Sequence, residues 1–107
     1  MNMSHGERDV IGTTIPSDRF TWNSETRTFV AEASDLRDGH LRQLYSDAAD
    51  AGFVMKSVKT GNEACFYLET EHRDSENDIT HWTFKPTETA IRRQPILQGV
   101  TVTIFND

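Results

Sequence analysis

Large apolar residues recur at every second position in one stretch of this chain after another. Phe20 and Trp22, Phe53 and Met55, Phe66 and Leu68, and Trp82 and Phe84 each stand two apart, and Val100, Val102 and Ile104 alternate with Thr101 and Thr103. Side chains that repeat with period two share one face of a β-strand. The pattern therefore dictates a sheet with one apolar face. Its core leans on aromatic side chains, since the chain carries six Phe, two Trp and two Tyr but few Leu and Ile.

Residues 1–18 are polar, with Val10, Ile11 and Ile15 as the available anchors, and read as a flexible N-terminal arm. Residues 19–107 read as a single domain. The segment RFTWNSETRTFVAEA predicts a hairpin turning at Asn23–Thr26, with Trp22 opposite Arg27 and Phe20 opposite Phe29. Phe20, Trp22, Phe29 and Ala31 then share one face. Leu41, Leu44, Tyr45 and Ala48 fall at helical spacing, so an amphipathic helix is expected over residues 39–50, with Asp38 at its start and Gly52 beyond its end. Three strands follow, at 53–58, 63–72 and 79–85, with Gly61-Asn62 as a tight turn and Pro86 as the stop. The last strand carries Val100, Val102 and Ile104. Hairpin, helix, three-stranded meander and C-terminal strand together predict an α+β fold, a mostly antiparallel sheet packed on one helix.

Charge narrows the functional classes. With 17 acidic against 11 basic residues among 107, the net charge is −6, which disfavours nucleic acid and anionic membranes as direct partners. No apolar run reaches the ~18 residues that span a bilayer. The single cysteine, Cys65, cannot form an internal disulfide and suits a reducing cytoplasm. Its position inside a strand reads as a small buried side chain rather than an activated thiolate. Nucleophile elbows, phosphate-binding glycine loops and paired-cysteine metal motifs are absent from the sequence, so no catalytic residue and no cofactor is assigned.

The densest chemistry lies in FYLETEHRDSENDITHWTF, residues 66–84. Glu69, Glu71, Asp74, Glu76 and Asp78 crowd around one base, Arg73. Asp74, Glu76 and Asp78 alternate as in a calcium loop, but Ile79 stands where that loop needs Gly and Lys85 where it needs Glu. A solvated hairpin loop is the expectation. Matching Phe66 and Leu68 to Trp82 and Phe84 on the core face puts His72 on the core side and His81 on the other, across from Glu69 or Glu71. On that register the two histidines point apart, and no metal site is predicted.

Three segments carry a resemblance: Phe29 to Leu36 (FVAEASDL), Arg73 to Asp78 (RDSEND) leading to Trp82, and Val102 to Asp107 (VTIFND). Together they resemble a family of short uncharacterised proteins from bacteria and their phages. The resemblance implies a phage or mobile-element setting and lends no site residues. If the first and last strands pair, Glu32, Ser34, Asp35, Asn106 and Asp107 cluster as a binding site for a ligand or partner. The function expected is a small non-enzymatic module that binds another protein. Two alternatives are an acidic mimic of nucleic acid that inhibits a host protein and a small metal-dependent enzyme.

Overall fold

A computed structural model describes residues 13–36 and 51–107. Seven strands form one sheet: β1 (Thr14–Pro16), β2 (Thr21–Asn23), β3 (Thr28–Glu32), β4 (Gly52–Lys56), β5 (Glu63–Arg73), β6 (Ile79–Pro86) and β7 (Thr101–Phe105). Their order across the sheet is β1-β4-β5-β6-β7-β3-β2. Four of the neighbouring pairs are antiparallel, while β1–β4 and β3–β7 run parallel.

The connection between β1 and β2 dictates the shape. These strands stand at opposite margins of the sheet, yet only a single 3-10 turn, Ser17–Arg19, and Phe20 separate them. Five steps of chain from Pro16 to Thr21 reach about 17 Å at most. Six interstrand spacings in a flat sheet would need about 29 Å. The sheet must curl, and it forms a half-barrel.

Curling lets the apolar face cover itself. Phe53 lies fully buried at the centre, its ring 5.7 Å from Phe20, 5.5 Å from Phe66 and 5.1 Å from Phe84. Ile15, Trp82, Val102 and Ile104 are fully buried beside them. This arrangement corrects the α+β expectation of a sheet packed on one helix. Among the described residues the chain is mostly strand, and its one α-helix is α1 (Glu88–Arg93), six residues long, with two further 3-10 turns at Ala33–Asp35 and Pro95–Leu97. The helix expected over residues 39–50 lies outside the described residues. No helix among the described residues is long and apolar enough to cross a membrane.

Residues 1–12 of the expected arm also lie outside the described residues. Its last part is in the sheet: Ile15 is fully buried on β1, with Thr14, Ile15 and Pro16 matched to Val54, Met55 and Lys56. The first hairpin pairs two residues out of the expected register, and its turn comes one residue later. Trp22 pairs with Phe29 and Asn23 with Thr28, so the turn is Ser24–Arg27. Asn23 Oδ1 accepts from the N–H groups of Glu25 and Thr26, and Arg27 takes a positive φ of 54° to close the turn. Face sharing is preserved because the slip is even. In the β4–β5 turn, Gly61 supplies a φ of +77° while its N–H reaches Ser57 O at 2.9 Å.

Candidate functional site

The β5–β6 ribbon begins with even positions matched to even positions, as expected, and its register sets Leu68 opposite Phe84. Thr70 then pairs with Thr83, so two steps on β5 match one on β6 and Glu69 is the extra residue of a β-bulge. From there the parity of β5 is reversed. His72 lies opposite His81 on the outer face, and their rings stack at 4.1 Å with planes 9° apart. This corrects the expectation that the histidines point to different sides. The bulged Glu69 turns to Lys85, at 3.0 Å, and accepts from Thr83 Oγ1 at 3.3 Å. That carboxylate raises the Lys85 pKa by hydrogen bonding and by its charge.

Threonine hydroxyls flank both imidazoles. His72 Nε2 lies 3.2 Å from Thr83 Oγ1, and His81 Nδ1 lies 2.9 Å from Thr80 Oγ1. The Phe105 ring sits against His81 at 5.5 Å. Partial desolvation, and secondarily the neighbouring His72, lower the His81 pKa from its ordinary value.

The acidic loop beyond the histidines is internally tied. Asp74 Oδ1 accepts from the N–H groups of Glu76 and Asp78, and Asn77 takes a φ of +68° to complete the turn. Arg73 binds Glu71 at 2.8 Å and the Asn77 carbonyl at 2.8 Å. Among the described residues no group of three or more His, Cys, Asp or Glu side chains is disposed to hold a metal ion.

The second cluster forms in part. β3 and β7 pair in parallel with Glu32 opposite Phe105, which carries the two strand ends to the same place. Asp107 accepts from the Ser34 N–H at 2.9 Å and from the Ser34 hydroxyl. The Ser34 hydroxyl bond is the main cause that lowers the Asp107 pKa. Asn106 turns the other way and ties the strand end to β6, donating to the Ile79 carbonyl at 2.9 Å. Glu32 and Asp35 are exposed beside this junction. Cys65 is half-buried in β5.

Sequence reasoning missed two features. Trp22, on edge strand β2, keeps 42% of its surface exposed while its ring rests on Phe29 at 4.6 Å. The Arg27 guanidinium donates to the carbonyls of Ile96 and Gln98, which brings the 74%-exposed Ile96 to the β2–β3 turn. The early turn assignment hid this pairing. The other feature is a groove of about 400 Å³ lined by Tyr67, Lys85, Glu88, Ile91, Gly99 and Thr101 among others. Its walls come from three strands, α1 and the loop before β7, a combination that no single motif announces.

Comparison with protein-family models, with curated proteins and with solved structures finds no match.

Proposed function

We propose that this protein is a small non-enzymatic module that binds another protein, and that it engages its partner at the β2 margin through Trp22. The observation that carries this reading is the exposure of Trp22 on an edge strand. Tryptophan is among the residue types that dominate binding energy at interfaces. Contact with Phe29 holds the indole in place beforehand, which lowers the ordering cost of association. An edge strand also offers main-chain N–H and C=O groups for strand addition. Glu32 and Asp35, exposed where β3 ends, and Asn106 and Asp107, where β7 ends, remain weaker candidates for a polar contact with the same partner.

The resemblance of the FVAEASDL and IFND segments supports a phage or mobile-element accessory role, and the lone cysteine fits a cytoplasmic setting. The nucleic-acid-mimic alternative is less well supported. The acids of residues 69–78 gather at one hairpin end, where Glu69 and Glu71 are already paired with Lys85 and Arg73. A mimic needs a longer unneutralised strip.

Affinity capture from host lysate, run in parallel on the wild type and on Trp22→Ala, tests the reading. The expected result is a partner whose affinity falls at least about tenfold in Trp22→Ala, a loss typical of an interface hot spot. Val58→Ala, at another exposed apolar position, should leave it unchanged. A partner held equally by a folded Trp22→Ala variant would refute the assignment.

A further inference from the structure

The groove beside α1 is built from fixed parts. Tyr67 and Lys85 are cross-strand partners on β5 and β6, and the β6–β7 register, with Phe84 opposite Val102, sets Thr101 beside Lys85. All three line the groove from the outer face of the sheet. Thr87 holds the start of α1 against that sheet: its N–H donates to the Cys65 carbonyl at 3.0 Å, and its buried hydroxyl caps the helix. Glu88 and Ile91, about one helical turn apart, form one wall. Gln98 and Gly99 form the other. The Arg27 guanidinium donates to the Gln98 carbonyl at 3.1 Å, and the Arg27 carbonyl accepts from the Thr101 N–H at 3.2 Å. Gly99 takes a φ of +81° and puts bare main chain on that wall.

Charge chooses among ligands. Lys85 is already paired with Glu69 at 3.0 Å, and Glu88 is exposed with no ion-pair partner among the described residues. An anion would have to draw Lys85 from Glu69 and lie near Glu88. A cation would have to lie near Lys85. A neutral molecule that both donates and accepts meets neither repulsion. Glu88 takes protons from its hydroxyls, Lys85 donates to its oxygens, and the Gln98 amide does either.

We propose that this groove binds a neutral carbohydrate of one or two sugar rings, with the Tyr67 ring as its stacking surface and Lys85, Glu88 and Gln98 as its hydrogen-bonding rim.

Sugar chemistry matches those parts. A hexose turns hydroxyls outward around its edge and carries C–H groups on its faces. The electron-rich face of a phenol ring attracts such C–H groups, and Ile91 adds apolar contact beside it. The groove's volume of about 400 Å³ lies toward the lower end of the ~300–1,000 Å³ range of small-molecule sites. The site shares no residue with the β2 margin, so it stands or falls apart from the protein-binding reading. An open groove of this size recovers little beyond the cost of association, which sets the dissociation constant on the order of 1 mM.

The test is a nuclear magnetic resonance titration of the full isotope-labelled chain with maltose, cellobiose, lactose and N-acetylated chitobiose, each to about 50 mM, well above that constant. At least one should shift the backbone amides of Tyr67, Gly99 and Thr101 together while those of Trp22 and His72 stay in place. For that sugar, Tyr67→Ala should weaken binding at least about tenfold and Glu88→Ala at least about threefold. Trp22→Ala should change it less than about twofold. Inorganic phosphate and butylammonium chloride, run as charged probes, should leave the groove amides unmoved. The wild-type map needs no variant and stays decisive if Tyr67→Ala fails to fold. The site is overturned if no saccharide shifts the groove, if a folded Tyr67→Ala protein binds the sugar equally well, or if a charged probe shifts the groove amides in place of the sugars.

Discussion

Replacing Phe53 by Ala is the sharpest probe of the curled sheet. Phe53 has no solvent exposure, and its ring meets Phe20 from the closing turn and Phe66 and Phe84 from the central strands. Burial of such a side chain contributes about 1.5–3 kcal/mol in transfer free energy. Truncation also leaves a cavity lined by three rings that cannot all collapse inward, which raises the expected loss to about 3–5 kcal/mol. A domain of this size has only about 5–15 kcal/mol of net stability. The variant should therefore melt at least about 12 °C lower, taking about 4 °C per kcal/mol. Urea unfolding followed by far-ultraviolet circular dichroism gives the free energy directly. A double-mutant cycle with Phe20→Leu should reveal a coupling of about 0.5–1.5 kcal/mol, because the stacked pair links the closing turn to the sheet centre. A loss below about 1 kcal/mol for Phe53→Ala, or a coupling of zero, would refute the claim that the sheet closes over its own aromatic face.

Two further outcomes are expected. Thr87 is buried, and its hydroxyl accepts from the Ala90 N–H at 3.2 Å to cap α1; Thr87→Val should cost about 1–2 kcal/mol and Thr87→Ser distinctly less, measured by urea unfolding. Equal losses would show that the cap is unimportant. The Asp107 pKa is lowered from 3.8 in the folded state by Ser34, so this bond stabilises the fold above the unfolded carboxyl pKa and is lost as pH falls through the folded one. The stability difference between wild type and Ser34→Ala should thus be constant at neutral pH and shrink as pH falls through about 3.8, where the unfolded carboxyl is half protonated; a difference independent of pH down to full protonation would contradict it.

Much of the central sheet was legible in the sequence because alternation reports which face a side chain takes. The shared core face of Phe66, Leu68 and Phe84 and the buried set Val100, Val102 and Ile104 follow from period two, and the Gly61 turn follows from its Gly-Asn dipeptide. The meeting of Ser34 with Asp107 was legible in outline, since it needed only that the first hairpin and last strand pair. The histidine pair was not. One residue inserted at Glu69 reverses parity, and a bulge at Leu68-Glu69-Thr70 leaves no mark in hydrophobic pattern, because the side chains beyond it are polar on either face. The parallel contacts of β1 with β4 and of β3 with β7 were equally hidden: strands of three to five residues carry too little pattern to specify a distant neighbour.

The short Ser17–Arg19 turn joins both rims of the sheet, with five strands lying between them. Residues 14–23 therefore act as a hasp. Tension on either rim reaches the other along the backbone itself, and nicking the chain there would free both rims at once instead of merely trimming one.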